Sequence, residues 1–78
     1  MWEIRKRIQN LMTDSSYTYQ ALADEVTARY GYKVYGSEMS RYVKGELDTP
    51  KARKTLTDAL EILNSEKRRR DTLLKQSV

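Results

Sequence analysis

Apolar residues in this chain recur three and four positions apart, and they never form an unbroken run longer than Ala21 to Ala23. Such stripes bury one face of a helix and leave the other in water, so a chain built of them folds as helices packed on helices. Ile4, Ile8, Leu11 and Met12 mark a first helix, which the turn formers of "TDSSY" interrupt. Thr18 follows as an N-cap, because its hydroxyl can accept from an orphan N–H of the first turn. Leu22, Ala23, Val26 and Tyr30 then make the core face of a second helix, closed by Gly31 in the left-handed position that ends many helices.

The segment from Tyr32 to Tyr35 is rich in residues that favour strands and reads as an extended connection. Ser37 is expected to cap a third helix whose inward residues are Met39, Tyr42 and Val43, with Gly45 ending it. "DTPKA" opens a fourth, with Thr49 as cap and Pro50 at the first helical position, where a missing N–H costs nothing. Its stripe is Ala52, Leu56, Ala59, Leu60 and Leu63. The class is all-α, a compact bundle of four to five helices. Past Leu63 the stripe meets Lys67 and Arg70. Residues 65–78 are therefore a basic C-terminal helix or tail on a domain of residues 1–64, either separate or an exposed continuation, with Leu73, Leu74 and Val78 outside the core.

The 78 residues make one domain, too small to be comfortably stable without a partner. Neither cysteine nor histidine occurs. Disulfides, thiolate metal sites and the usual zinc ligands are thereby excluded, and so are Ser–His and Cys–His nucleophile pairs. Gly31, Gly36 and Gly45 each fall at a helix boundary rather than in a phosphate loop, and the eleven carboxylates show no calcium-loop spacing. The expectation is a non-enzyme with no cofactor, no metal and no small-molecule substrate. Nothing resembles a membrane span or signal peptide, so a soluble, cytoplasmic chain is expected.

Charge narrows the search. The net +4 is not spread evenly: residues 29–54 carry seven basic and three acidic groups, whereas residues 1–28 carry three and four. The excess surrounds the third helix, together with four of the six tyrosines, Tyr30, Tyr32, Tyr35 and Tyr42. On that helix Ser37, Ser40, Arg41 and Lys44 share the side opposite Met39, Tyr42 and Val43, with Glu38 beside them. Arg41 can pair with the O6 and N7 of guanine, and Glu38 can accept from the amino group of cytosine. Lys44 at the helix end is better placed for phosphate, which fixes register without carrying sequence information. Structural readings stand beside these: a solvated charged face for Arg41 and Lys44, and a first-turn acid stabilising its own helix for Glu38. Tyr30 and Tyr42 are expected in the core and Trp2 in packing at its rim, while Tyr32 and Tyr35 read as either phosphate or base contacts or loop packing. "KRRR", Lys67 to Arg70, reads as a solvated, salt-bridged face, a backbone contact or a partner surface.

A short helix followed by a second one, basic on its outer side, is the arrangement of a helix-turn-helix, in which the second helix enters the major groove. "TYQALADEV", "SEMSRYVKG" and "TPKARKTLTDALEIL" together resemble the lambda-repressor-like (Cro-type) helix-turn-helix family of phage and plasmid regulators, over 46 of the 78 residues. The resemblance implies a protein that binds operator DNA, usually as a homodimer. By position, Ser37, Glu38 and Arg41 fall where the family contacts bases. Thr18, Tyr19 and Lys44 fall where it touches the backbone. One spacing departs from the pattern. The family's turn is about 3–4 residues, whereas twelve residues separate Val26 from Met39 here. An extra helical turn plus a loop from Gly31 to Gly36 accounts for them, and that loop would set Lys33 and Tyr35 beside the groove.

The expected function is thus sequence-specific binding of double-stranded DNA by a transcriptional regulator, a repressor of phage or mobile-element type. Ser37, Glu38, Ser40 and Arg41 would meet bases, and Thr18, Tyr19, Lys33, Tyr35 and Lys44 the backbone. Two other classes stay open. One is a protein–protein interaction module that reuses the fold through Leu73, Leu74 and the basic tail. The other is a binder of single strands or RNA, with Tyr32 and Tyr35 stacking on bases.

Overall fold

A computed structural model of the chain describes residues 2–76, with side chains through residue 73. It contains four helices among the described residues and no strand: α1 (Trp2–Ser15), α2 (Tyr19–Tyr30), α3 (Gly36–Lys44) and α4 (Pro50–Gln76). Three of the apolar stripes converge on the fourth. α4 packs against α1, α2 and α3 alike, while α3 also lies on α1 and α2. Touching three neighbours widens the buried face of α4 beyond the expected stripe. Thr55 and Ile62 join Ala52, Leu56, Ala59 and Leu63 in the interior, and Leu60 is only half-buried. Ile8, Leu11, Met12, Leu22, Ala23, Val26, Met39, Tyr42 and Val43 complete the core, with Val34 from the α2–α3 loop.

The helix starts follow largely from short polar caps. Thr18 accepts from Ala21 N at 3.0 Å to begin α2, and Thr49 accepts from Ala52 N at 3.1 Å to begin α4. α1 runs three residues past Met12, with the Thr13 and Ser15 hydroxyls donating to the carbonyls of Gln9 and Leu11 within the same helix. It then ends at Ser16, whose φ of 58° is left-handed, with Tyr17 N reaching back to Met12 O at 3.1 Å. That is the helix-ending motif in which glycine usually occupies the left-handed place.

Several expectations need correction. Ser37 does not cap α3. Cap and helix start both fall two residues earlier, with Tyr35 in the cap position, Gly36 the first helical residue and Ser37 already inside the first turn. The reason lies in the loop, where Val34 is buried and its N–H is held by the Thr27 hydroxyl at 3.0 Å, fixing the cap two residues ahead of the serine. Tyr30 is 37% exposed, and Val34 rather than Tyr30 is the buried residue that follows Val26. Trp2 is 64% exposed and carries the Lys6 ammonium over its ring at 5.2 Å instead of packing at the rim.

Of the two alternatives for the C-terminal segment, its described part, residues 65–76, is the continuation of α4, exposed over residues 67–73. Their charges are partly spoken for: Glu66 pairs with Arg29 at 3.6 Å and with Arg69 at 3.8 Å, and Arg70 donates to the Asp14 carbonyl at 3.2 Å. Leu73 is half-exposed there, and the side chain of Leu74, like Val78, lies outside the described residues. Among the described residues no helix is long and apolar enough to cross a membrane.

Candidate nucleic-acid interface

The candidate surface is built on α3, and the construction starts with how tightly that helix is held. Met39, Tyr42 and Val43 are all but inaccessible. At the near end Gly36 sits against α2 so closely that a Cβ there would overlap the Gln20 side-chain oxygen and lie 3.1 Å from Gln20 Cα. At the far end Gln9 of α1 donates to the Val43 carbonyl at 3.3 Å. The helix therefore has one rotation open to it, and its outer stripe is presented in a fixed direction.

On that stripe Ser37, Arg41 and Lys44 are exposed and Ser40 is half-buried. No described residue forms a side-chain hydrogen bond or ion pair with any of the four. Arg41 contrasts with Arg29 and Arg53, each of which is tied to a carboxylate at 2.9–3.0 Å. A guanidinium left uncommitted on a rigid helix keeps all its donors for an outside partner, and its planar fork suits a guanine edge or a phosphate.

Glu38 is different. Its Oε1 accepts from the Tyr35 N–H at 3.1 Å, and its Oε2 takes the Tyr42 hydroxyl at 2.9 Å and Lys51 Nζ at 3.2 Å. Partial burial works to raise its pKa, but the three donors outweigh it and hold the carboxyl below the usual range. Burial first, and then the bond to Glu38, push the Tyr42 hydroxyl up. Glu38 thus serves as the cap and internal brace of α3. A base contact would have to compete with these bonds.

The flanking residues fall at the two ends of the helix. Lys33 and Tyr35 occupy the loop before α3, the ammonium 5.1 Å from the centre of the ring and Tyr35 57% exposed. Lys51 and Lys54 of α4 stand on the same side as this loop, together with Tyr30 and Tyr32. Lys44 at the other end lines a depression with Trp2, Arg5, Lys6, Gln9 and Asn10 of α1. The cations of α1 were not expected here; a run of three basic residues, Arg5 to Arg7, was the available signal. Thr18 spends its acceptor on the α2 cap, and Tyr19 is half-buried against the core, so both face the groove between α1 and α2 more than the α3 stripe.

Among the described residues no group of three or more His, Cys, Asp or Glu is close enough to hold a metal ion. Comparison with known proteins finds no family model, no curated protein and no solved structure that matches this chain.

Proposed function

We propose that the chain is a helix-turn-helix protein of the lambda-repressor-like kind, with α2 as bracing helix, residues 31–35 as an elongated turn and α3 as the helix that enters the major groove of double-stranded DNA. The observation that carries this reading is the uncommitted outer stripe of α3: Arg41 and Lys44, exposed and unpaired, on a nine-residue helix whose other face is fully buried. A helix with its side chains is about 10–12 Å across, which fits the roughly 12 Å width of the major groove. Basic side chains stand at each of its ends, where the two phosphate backbones would run. Arg41 is the base reader, with Ser37 and Ser40 as shorter contacts. Lys44 and Lys33 are the phosphate contacts, and Glu38 keeps α3 in place. Regulation follows by occupying a site rather than by chemistry, and a homodimer would place two such helices about 34 Å apart or at a multiple of that spacing.

Arg41→Ala and Lys44→Ala test the assignment. Arg41→Ala should cost about 1–3 kcal/mol on the preferred sequence and relax the preference at one base position. Lys44→Ala should weaken all duplexes alike and reduce the salt slope by about one. Equal, sequence-independent losses from both variants would sink the assignment of Arg41 to a base.

A further inference from the structure

A cleft of about 710 Å³ lies beside the start of α3, lined by Tyr30, Tyr32, Lys33, Pro50, Lys51 and Lys54. It joins the end of α2, the loop after it and the first turns of α4. It is a shallow depression open to solvent. Three lysines line it, the Lys54 ammonium lying over its tyrosine rings and those of Lys33 and Lys51 resting on neighbours at its edge, Tyr35 and Glu38. Lys54 Nζ lies 4.4 Å from the centre of the Tyr32 ring and 5.8 Å from that of Tyr30. Asp58 fixes the assembly from behind, accepting from Lys54 Nζ at 3.0 Å and from the Tyr32 hydroxyl at 2.6 Å on the same oxygen. Lys51 is steadied by Glu38, and Lys33 by the face of Tyr35. Three lysines against two carboxylates leave the cleft net positive.

The occupant follows from what each class of ligand would leave unused. A purely apolar ligand would strip water from ammonium groups and return nothing for it. A bare phosphate would leave the aromatic wall, Tyr30, idle. Paired bases have their faces covered by stacking, so an aromatic wall meets a base only where it is unpaired. We propose that this cleft takes an unpaired nucleotide, its base stacked on Tyr30 and its phosphate held by Lys33, Lys51 and Lys54. This goes beyond the duplex reading by α3 and uses none of that stripe, sharing with the duplex reading only the phosphate contact Lys33.

The same chemistry is offered by a single strand and by a free mononucleotide, and one titration separates them. The full chain is titrated into a fluorescein-labelled oligothymidylate of about eight nucleotides, followed by anisotropy, with thymidine monophosphate as competitor. Tyr30→Ala should weaken binding about tenfold, since stacking on one aromatic is worth about 1–3 kcal/mol per base, while Tyr30→Phe should bind like the parent. Lys54→Ala should weaken binding and flatten its salt dependence, and Lys67→Ala, the same charge change on the far part of α4, should not. Displacement by the mononucleotide with the same dependence on Tyr30 supports a free-nucleotide source; Tyr30-dependent binding that the mononucleotide cannot displace supports a strand. No binding, or binding that Tyr30→Ala leaves within twofold, or binding that Lys67→Ala weakens as much as Lys54→Ala does, overturns the proposal. Tyr30 is exposed, and circular dichroism checks that its variants fold. Because the strand is unpaired, the outcome is independent of whether α3 selects a duplex sequence.

Discussion

Removing the carboxylate of Glu38 separates two roles that look alike in the sequence. In the fold the residue accepts from Tyr35 N–H at the start of α3, from the Tyr42 hydroxyl and from Lys51. Loss of the first bond costs about 1 kcal/mol, as for other helix caps. Tyr42 is 3% exposed, so its hydroxyl would be left without a partner, at about 1–3 kcal/mol. The Lys51 pair adds little, roughly 0–1 kcal/mol, because both side chains are partly in water. Glu38→Ala is therefore expected to lose about 2–5 kcal/mol, against a total near 5–15 kcal/mol for a domain. In thermal unfolding followed at 222 nm, that is a fall of at least about 10 °C in Tm. Glu38→Gln keeps an oxygen for Tyr35 N–H and should lose about 1 kcal/mol. The pH dependence has a definite sign: because the folded pKa is lowered, the contribution is complete above the unfolded value and is lost as pH falls through the folded one. Glu38→Gln should flatten that acid limb. If Glu38→Ala unfolds within about 0.5 kcal/mol of the parent, the bracing role is wrong and the residue is free to read a base.

Two further outcomes test the fold. Ser16 holds a left-handed φ that costs a non-glycine residue about 1–2 kcal/mol, partly offset by the extra freedom glycine brings to the unfolded chain; Ser16→Gly should stabilise by about 0.5–1 kcal/mol in urea, and a loss would refute the assigned end of α1. Burial, and then the bond to Asp58, raise the Tyr32 phenol from 10.0 to about 12, so its contribution is complete below pH 10 and lost as pH rises from there through about 12; Tyr32→Phe should lose less stability than the parent between pH 10 and 11, and parallel losses would discount the Tyr32–Asp58 bond.

What was legible in the sequence was whatever has a period or a dedicated residue type. Met39, Tyr42 and Val43 at i, i+3 and i+4 divide α3 correctly into its buried and outer sides. Thr18 and Thr49–Pro50 announce their helices because short hydroxyls and proline have few other uses at such places. Val34 was not legible, since one valine in a loop has no period to reveal that it is buried. The start of α3 was misplaced for the same reason: a tyrosine cap offers no short polar oxygen, and the job passes to Glu38 three residues on. Tyr30 continues the spacing of Val26, yet it lies at the last position of α2 and stays partly exposed. The cleft it helps to line depends on residues up to 24 positions apart, Tyr30 to Lys54, which only the fold brings together.

Selection from a random duplex pool, with sequencing of the survivors, tests most directly whether α3 reads a DNA sequence. The account predicts enrichment of a half-site containing a guanine whose preference disappears in Arg41→Ala, and, if the protein acts as a dimer, an inverted repeat with half-sites about one helical turn or a multiple apart. A folded protein that enriches nothing would contradict it, and would leave Arg41 and Lys44 as a solvated face.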